Sequence, residues 1–269
     1  MGKFTGVLLV SDYDDTFLGS DHKVSPRNLE ALRYFQSEGG RFTIATGRAL
    51  NTFAPHVHLA PVNAPVVLSN GSALYDFQEE KLLLQTFLPS TAKADLTHTL
   101  EHFPELGAEF YHGETIYVHN PNYITDNHMK KVGTAYTVQP MSQIPTPWTK
   151  VILQQEEDYQ LEVQRWFLAH YGADYEAIFS NRWYLEITAK GSTKGGMVQE
   201  LARRLNVAPQ HIYCVGDNQN DIPMLACAKQ GFAPANCARE VRTWGATILG
   251  HCNDGVIADV VKHLDELYS

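Results

Sequence analysis

Short apolar runs alternate with amphipathic stretches through the first third of the chain. Residues 4–11 are rich in Val and Leu without alternation, which is typical of a strand covered on both faces in a parallel sheet. Residues 25–40 begin with Ser-Pro, end in Gly-Gly and carry apolar residues at helical spacing, so they predict a helix. The apolar runs 41–46 and 64–69 predict two more strands. This part of the chain therefore predicts β-α-β-α-β order.

The last third of the chain follows the same pattern. Residues 192–206 place apolar side chains on one helical stripe, and residues 211–216 form the next apolar run. A turn and a short helix are expected over 217–228, and a terminal helix over about 255–267. Both ends of the sequence thus predict one α/β fold, a doubly wound parallel sheet of the Rossmann-like type.

The middle of the chain has a different pattern. Residues 83–187 mix aromatic and β-branched runs with helical stretches, which favours an α+β unit built on an antiparallel sheet. We therefore predict that residues 1–82 and 188–269 form one core domain. Residues 83–187 are predicted to be a second domain inserted into it, with linkers near residues 82–88 and 186–192.

Composition narrows the class of protein. The 269 residues are 44% hydrophobic and 19% charged, as in ordinary soluble globular proteins. The net charge of −9 repels nucleic acid and anionic lipid, so an anionic ligand needs a local cation. No apolar stretch reaches the roughly 18 residues of a membrane span, and the chain enters its first strand without a signal-peptide pattern. We therefore expect a cytoplasmic protein without nucleic-acid or membrane partners.

Cysteine and histidine patterns add no metal motif. The cysteines are too widely spaced for a CxxC site, and a chain of this length needs no disulfide framework, so reduced thiols are expected. The 12 histidines contain no HExxH pair and are interpreted as surface or packing residues. The four cysteines are Cys214, Cys227, Cys237 and Cys252.

Polar clusters follow the predicted strands and begin one helix, and in a doubly wound sheet the carboxyl ends of the strands meet at one edge. Converging carboxylates need a cation to remain ionised together. Oxygen donors without a nearby Cys or His pair indicate Mg²⁺ as that cation, with a phosphate group as its partner. The clusters are Asp12, Tyr13, Asp14, Asp15 and Thr16; Thr46, Gly47 and Arg48; Lys194; and Asp217, Asn220 and Asp221.

In their order and spacing these clusters resemble the four motifs of the haloacid dehalogenase superfamily. Residues 12–16 are similar to its DxDxT motif, residues 46–48 to the second motif, Lys194 to the third, and residues 216–221 with Met224 and Leu225 to GDxxND...ML. The pattern resembles Cof-type, class IIB members, in which a large α/β cap lies between motifs two and three. This resemblance implies a phosphatase, a phosphoric monoester hydrolase, whose cap closes over a small phosphorylated metabolite.

The resemblance also implies a role for each acidic residue. Asp12 is implied to be the nucleophile that forms an aspartyl-phosphate, and Asp14 the acid for the leaving group and then the base for water. Metal ligands are implied to be the side chains of Asp12, Asp217 and Asp221. Asp14 is implied to bind the metal through its backbone carbonyl, which leaves its carboxyl group free for proton transfer.

Further residues are implied to bind the phosphoryl group or the substrate. Lys194 and Asn220 are implied to hold this group and to neutralise its charge during transfer. The second motif is implied to hold phosphate oxygens through the Thr46 hydroxyl and the amides around Gly47. Tyr13 is also placed with these phosphate- or substrate-binding residues.

Three positions leave alternatives open. The family usually has Gly where this chain has Asp15. Gly is often chosen where the backbone must adopt a positive φ, and Asp tolerates this conformation better than most residues. We expect Asp15 to lie outside the catalytic set. Arg48 fits a phosphate or cap contact and an outward salt bridge equally well. Lys190 competes with Lys194 for the third motif, although the "STKGG" context favours Lys194.

The sequence thus predicts a Mg²⁺-dependent phosphatase acting on small, sugar phosphate-like monoesters. Two alternatives use the same side chains. A phosphomutase or phosphotransferase differs only in the acceptor of the phosphoryl group. A non-enzymatic receiver-type phospho-acceptor needs neither the second aspartate nor the long insert. The sequence makes no prediction of the oligomeric state.

Overall fold

Residues 2–269, which the computed structural model of the protein describes, form three β-sheets flanked by helices. The strands are β1 (Leu8–Ser11), β2 (Arg41–Ile44), β3 (Val66–Leu68), β4 (Ala73–Asp76), β5 (Lys81–Gln85), β6 (Gly107–His112), β7 (Thr115–His119), β8 (Tyr136–Val138), β9 (Lys150–Gln154), β10 (Tyr175–Asn181), β11 (Tyr184–Ala189), β12 (Ile212–Val215), β13 (Gln230–Ala233) and β14 (Thr247–Ile248). The α-helices are α1 (Pro26–Ser37), α2 (Leu50–Phe53), α3 (Ala92–His102), α4 (Tyr123–Val132), α5 (Glu157–Tyr171), α6 (Lys194–Arg204), α7 (Ile222–Cys227), α8 (Arg239–Trp244) and α9 (Val256–Leu267).

The first sheet is parallel and combines the two ends of the chain. Its strand order is β14-β13-β12-β1-β2, with β1 between β12 and β2. In this register Val10 lies beside both Cys214 and Thr43. All five strands run in the same direction, so the segments that follow them meet at one edge. The predicted α/β class is confirmed.

The apolar run of β1 is continuous because both faces of the sheet are covered. Leu8, Leu9 and Val10 are fully buried. Leu9 packs with Phe42 in the layer that contains α1 and α9, whereas Leu8 and Val10 pack with Met197 of α6 on the opposite face. Successive residues of a strand point to opposite faces, so a strand buried on both sides has no polar positions in its interior.

The second sheet belongs to the middle of the chain. Its strand order is β10-β11-β9-β6-β7-β8, and neighbouring strands are antiparallel except for the β7–β8 pair. It has a separate hydrophobic core that includes Phe110, Trp148 and Phe167, whose side chains are buried. The predicted α+β insert is therefore confirmed as a unit with its own sheet and core.

The predicted domain bounds fall inside strands. The bound at 82/83 lies within β5, which pairs with β4 in the third sheet, and the bound at 187/188 lies within β11. The two connections between the core and the insert touch, since the hydroxyl oxygens of Thr86 and Ser192 are 2.8 Å apart. The division of the chain into 1–82 with 188–269 and 83–187 stays a prediction.

Two features of the structure were not predicted from the sequence. Helix α4 begins after Asn122, whose side chain accepts hydrogen bonds from the backbone N–H groups of Ile124 and Thr125. The Thr125 side chain in turn accepts from the Asn122 backbone, which completes a capping box. The other feature is the antiparallel sheet β3-β4-β5 that precedes the insert.

No helix within residues 2–269 combines the length and apolar character needed to cross a bilayer.

A glycine substitution tests how tightly the core is built around the segment that leads into α6. Gly71 has φ of +98°, and a Cβ there would lie 2.1 Å from the Thr193 carbonyl oxygen, whereas Gly113 has φ of +55° and open space around it. We expect Gly113→Ala to lower the free energy of unfolding by about 1 kcal/mol because of its backbone conformation alone. Gly71→Ala should lower it by more than about 3 kcal/mol in urea unfolding. Equal losses in the two variants would contradict this packing.

Candidate active site

Three aspartates from distant parts of the chain converge at the carboxyl edge of the parallel sheet. Asp12 follows β1, Asp217 follows β12, and Asp221 ends the single 3₁₀ turn before α7. One carboxylate oxygen from each of the three lies within 4.8 Å of the others. The convergence expected from the strand order is therefore present.

Lys194 lies between two of these carboxylates. Its Nζ donates to Asp12 Oδ1 at 2.5 Å and to Asp221 Oδ1 at 2.6 Å, and the side chain is 1% exposed. Lys194 is the first residue of α6, where the Thr193 hydroxyl caps the helix by accepting from the Gly196 N–H. Burial lowers the pKa of Lys194, but the charges of the two carboxylates outweigh it and raise the pKa above its ordinary value.

The other candidate for the third motif lies outside the site. Lys190 is about half exposed, and its Nζ pairs with Glu176 at 3.3 Å. Between the two lysines weighed from the sequence, only Lys194 contacts the aspartates. The stretch between them turns from the end of β11 into α6 and leaves Lys190 on the surface.

Asp221 is held rigidly by backbone groups as well as by the lysine. Its Oδ2 accepts from the N–H groups of Asp217 and Asn218 at 2.9 and 3.0 Å. Asp217 in turn accepts from the Thr16 hydroxyl at 3.0 Å, which ties the fourth motif to the first. These bonds leave Asp12 and Asp217 as the carboxylates that face the open side of the cluster, where both line a cavity.

One lysine does not balance three carboxylates, of which Asp12 and Asp221 are buried and Asp217 is partly exposed. Burial and the nearby Asp221 raise the pKa of Asp12 to about 7, although Lys194 opposes them. Burial and Asp12 raise the pKa of Asp217 well above its ordinary value. Among residues 2–269 this is the only group of three His, Cys, Asp or Glu side chains with metal-binding spacing. A hard divalent cation such as Mg²⁺ fits a donor set made only of carboxylate oxygens.

Asp14 lies at the same edge but is paired with Arg48. The Arg48 Nε donates to Asp14 Oδ2 at 2.9 Å and its Nη2 donates to Oδ1 at 2.7 Å, a bidentate ion pair. Burial works to raise the pKa of Asp14, but the hydrogen bonds and charge of Arg48 hold it below its ordinary value. Arg48 therefore forms its salt bridge within the site, toward the first motif, and it also lines the cavity, so the phosphate contact weighed for it from the sequence stays a prediction.

The substrate contact expected of Tyr13 stays a prediction, and the structure buries its ring. Its ring is fully buried, stacks near Phe17 at 6.2 Å between centroids and lies edge-on to Phe53 at 5.1 Å. The guanidinium of Arg48 lies 5.3 Å from its centroid on the side of the site. Tyr13 lies in the turn after β1, and its side chain is not among those that line the cavity with Asp12 and Asp14. Only its backbone is left to contact a ligand.

The predicted phosphate-binding residues of the second and fourth motifs line the cavity. The Thr46 hydroxyl accepts from the Arg48 N–H at 3.1 Å, which shapes the turn after β2. The Asn220 Nδ2 donates to Asn70 Oδ1 at 3.0 Å. Because a Cβ on Gly47 would lie 3.2 Å from the Asn70 side chain, Gly47 permits a close approach there.

Asp15 adopts the conformation that favours glycine. Its φ is +57°, in the left-handed region, and its carbonyl oxygen accepts from the Asn236 Nδ2 at 2.9 Å. The side chain lies at the rim of the cavity and forms no salt bridge among the described residues. Asp is one of the residue types that tolerate this region, so the turn of the first motif forms without Gly.

The insert supplies the opposite wall of the cavity, which has a volume of about 210 Å³. Sequence analysis missed every residue of this wall, although charged residues inside apolar strands, such as Lys150 and Glu186, were an available signal. A charge is buried in a strand only where it finds a partner. The residues of the insert that line the cavity are Tyr111, His128, Lys131, Val132, Lys150, Ile152, Ser180, Asn181, Tyr184 and Glu186.

Lys150 connects the insert to the second motif. Its Nζ, on β9, donates to the Gly47 carbonyl at 2.9 Å and to Glu186 Oε2 at 3.0 Å, and it lies 4.5 Å from the Tyr111 ring centroid. Burial works to raise the pKa of Glu186, but Lys150 holds it below its ordinary value. A buried ion pair of the insert thus contacts the backbone of the loop that carries Thr46.

Fold and site together define a hydrolase of the α/β class, with converging aspartates at the edge of a parallel sheet beneath an inserted unit. The family model described as haloacid dehalogenase-like hydrolase matches residues 9–261. The chain belongs to this family. The enzyme class expected from the sequence, a phosphatase, is confirmed.

Relatives are similar over nearly their whole length. The HMP-PP phosphatase of Serratia proteamaculans is 24% identical over 95% of this chain and 94% of its own. The pyridoxal phosphate phosphatase YbhA of Escherichia coli is 23% identical over 96% and 98%.

Among solved structures, the subclass IIB sugar phosphatase BT4131 has a TM-score of 0.84 at 19% identity, over 96% of this chain and 99% of its own. The protein SMU.1108c of Streptococcus mutans has a TM-score of 0.85 at 22% identity, over 97% and 99%. The fold is thus that of subclass IIB.

Removal of the central lysine tests how the carboxylates are held together. We expect Lys194→Met to lower the free energy of unfolding by about 3–5 kcal/mol in EDTA, because it leaves buried carboxylates without their cation. Lys190→Met, which removes an exposed ion pair, should cost less than about 1 kcal/mol. Urea unfolding of both variants measures this difference. A Lys194→Met protein as stable as Lys190→Met would show that the lysine is not needed to hold the cluster.

Proposed function

We propose that this phosphatase is Mg²⁺-dependent and hydrolyses small, sugar phosphate-like monoesters through an aspartyl-phosphate on Asp12. The observation that carries the proposal is the convergence of the Asp12, Asp217 and Asp221 oxygens within 4.8 Å. Carboxylates from two segments far apart in the sequence lie this close, and two of them, Asp12 and Asp217, line a cavity of metabolite size. Such crowding suits a site built to hold a cation and a phosphate.

Mg²⁺ fits the residues of this site. Asp12, Asp217, Asp221 and the backbone carbonyl of Asp14 are the groups that would hold it. When bound, the ion neutralises charge on the phosphoryl oxygens and on the attacking carboxylate. Lys194 supplies further positive charge and keeps Asp12 oriented by its 2.5 Å hydrogen bond.

In the first step, an oxygen of Asp12 forms a bond to phosphorus while the bond from phosphorus to the leaving oxygen breaks. Asp14 gives its proton to that oxygen, so the leaving group departs as an alcohol. In the structure Asp14 is paired with Arg48, which favours its carboxylate form. The acid step therefore needs Asp14 to exchange this partner for the leaving oxygen of the substrate.

In the second step, the Asp14 carboxylate takes a proton from water, and the resulting hydroxide attacks phosphorus. The bond between phosphorus and Asp12 breaks and inorganic phosphate leaves. Arg48 supports this half of the reaction because it holds Asp14 in the basic form. The same carboxyl group thus works as acid and then as base.

Contacts to the phosphoryl oxygens are proposed for Thr46, the backbone amides around Gly47, Lys194 and Asn220. Each of these residues lines the cavity beside Asp12. They supply hydroxyl, amide and ammonium donors, which are the groups that stabilise a transferring phosphoryl group. For Tyr13 we propose a backbone contact alone, since its ring is buried away from the cavity.

Residues 83–187 are proposed to act as a domain that closes over the leaving group. The contact of Lys150 with the Gly47 carbonyl supports this role, since it joins the insert to the second motif. A closed site excludes bulk water during the first transfer. The Thr86 to Ser192 contact between the two connections is the proposed hinge.

The alternatives differ in the fate of the phosphoryl group. A phosphomutase or phosphotransferase on this scaffold would pass it to a second metabolite, and a receiver-type phospho-acceptor would retain it. Membership in a family of hydrolases favours water as the acceptor. The pyridoxal phosphate phosphatase among the relatives adds phosphate monoesters that carry an aromatic ring to the candidate substrates.

Four free thiols support a reducing compartment such as the cytoplasm.

Substitution of Asp12 and substitution of Asp14 should affect the activity in different ways. We expect Asp12→Asn to abolish release of phosphate from p-nitrophenyl phosphate, because the amide is a poor nucleophile. Asp14→Asn should lower kcat by about 10²-fold or more, because proton transfer is lost, with a nearly unchanged Mg²⁺ affinity. A phosphate-release assay and calorimetric titration with Mg²⁺ measure the two effects.

Two controls accompany this assay. EDTA should remove the wild-type activity and added Mg²⁺ should restore it. An added sugar phosphate should not capture the phosphoryl group, as it would with a mutase. Wild-type turnover by Asp12→Asn would reject the nucleophile assigned here.

The contact between the insert and the second motif should affect closure. We expect Lys150→Met combined with Glu186→Gln to lower kcat/KM for p-nitrophenyl phosphate about 10-fold, since the insert loses its bond to the Gly47 carbonyl. Small-angle scattering should show a larger radius of gyration. The control is Lys93→Met, because Lys93 Nζ donates only to the Ser142 and Ile144 carbonyls within the insert. The same loss in both proteins would exclude a specific role for Lys150.

A further inference from the structure

One face of helix α4 forms the part of the cavity wall that lies across from the aspartates. His128, Lys131 and Val132 all line the cavity, and they are three and four residues apart, so they share one side of the helix. Two of the three side chains are basic. Basic side chains on the insert therefore face the aspartates of the core across the cavity, and this arrangement needs a physical explanation.

His128 is fixed in place by a buried carboxylate. Its Nδ1 lies 2.7 Å from Glu109 Oε1, and Glu109 is fully buried on β6. Gln154 Nε2 and the Tyr111 hydroxyl donate to the same carboxylate at 2.6 and 3.0 Å. The ring of Tyr184 packs on the imidazole, with 4.6 Å between centroids. The ring of His128 is therefore held from two sides.

The second nitrogen of this imidazole remains for a ligand. The Nδ1 of His128 is occupied by Glu109, whereas its Nε2 has no hydrogen-bond partner among residues 2–269 and is not a buried atom. Because the side chain lines the cavity, this nitrogen is available to a molecule bound there. A histidine oriented by a carboxylate through one nitrogen commonly presents the other to a ligand.

The positive charges that line the cavity are otherwise neutralised. Arg48, Lys150 and Lys194 each lie within 3.0 Å of a carboxylate oxygen. Lys131, in contrast, forms no ion pair within 4.0 Å among residues 2–269. It is the lysine of this wall without a direct carboxylate partner among the described residues, although its charge also helps to lower the pKa of Asp14, and it lies one helical turn from His128.

We propose that His128 and Lys131 form a leaving-group subsite that selects phosphate monoesters whose leaving group carries a second acidic group, either a carboxylate or another phosphate. This inference rests on the proposed function for the end of the substrate that is cleaved. Glu109 is a positioning residue, since it acts by orienting His128.

The two side chains supply what an acidic oxygen needs. A doubly protonated imidazole donates one N–H to Glu109 and the other to the ligand, and Lys131 adds a second cation close to it. A leaving group with only neutral hydroxyl groups gains little from Lys131, which stays hydrated instead. The cavity of about 210 Å³ restricts the ligand to a small molecule that spans the distance from the aspartates to α4.

Binding of matched ligands to the Asp12→Asn protein in the presence of Mg²⁺ tests this subsite without turnover. One pair is 3-phosphoglycerate and glycerol 3-phosphate, which differ in a carboxylate. The other pair is fructose 1,6-bisphosphate and fructose 1-phosphate, which differ in a phosphate. We expect the acidic member of at least one pair to bind about 10-fold more tightly by calorimetry. The pair that shows the preference identifies the acidic group.

Variants on the same background assign the preference to residues. Lys131→Gln and His128→Gln should each reduce the 10-fold ratio to about 3-fold or less. The matched control is Lys130→Gln, since Lys130 is the adjacent exposed lysine of α4 and does not line the cavity. This control should retain the full ratio.

The positioning role of Glu109 has its own readout. Glu109→Gln should weaken binding of the acidic ligand about 5-fold more than binding of its neutral partner, because His128 loses the carboxylate that orients it. A purely structural defect weakens both ligands equally. Thermal unfolding identifies any variant that fails to fold, and His128→Gln then carries the test.

The outcomes separate this inference from the proposed function. Equal binding of both members in both pairs would overturn the subsite, and so would a preference that survives in Lys131→Gln and His128→Gln. Hydrolysis of p-nitrophenyl phosphate by the wild-type protein, measured beside the titrations, tests the phosphatase chemistry alone. A preference in binding with no hydrolysis would retain the subsite and reject the proposed function.

Discussion

The structure depends on the balance between crowded carboxylates and a single buried ammonium group. Asp12, Asp217 and Asp221 come from segments that meet only because β1 and β12 are neighbours in the parallel sheet. Asp12 and Asp221 are buried, so their mutual repulsion is weakly screened, and the raised pKa of Asp12 reflects this. Lys194 offsets part of the repulsion, and the remainder is what the proposed Mg²⁺ would offset.

This balance of charges explains why backbone N–H groups and a hydroxyl group donate hydrogen bonds to the aspartates of the site. Asp221 uses its second oxygen to accept two backbone N–H groups, and Asp217 accepts from the Thr16 hydroxyl. These bonds satisfy lone pairs that water would otherwise occupy. The first motif turns sharply enough to require a left-handed residue, and Asp15 fills this position. These bonds fix the core side of the site in place.

The sequence predicted the core of the fold and the floor of the site because both follow from short-range patterns. The run 4–11 marks a strand buried on both faces, and the residues after such strands meet by topology. The burial of the Tyr13 ring was not predicted, because residue spacing does not tell in which direction a side chain points. The Arg48 pair with Asp14 joins residues 34 positions apart, which no local pattern encodes. His128 was interpreted only as a surface or packing residue, and its partner, Glu109, is on another element, which no local pattern indicates.

The contact between Thr86 and Ser192 has a consequence for how such a protein diversifies. A segment whose two ends leave and rejoin the rest of the chain within hydrogen-bond distance can be lengthened, shortened or exchanged without displacing what it is inserted into. Selection can therefore rework the chamber that admits a metabolite while the reacting groups keep their positions. New substrate ranges then arise by exchange of the insert while the core side of the site stays unchanged.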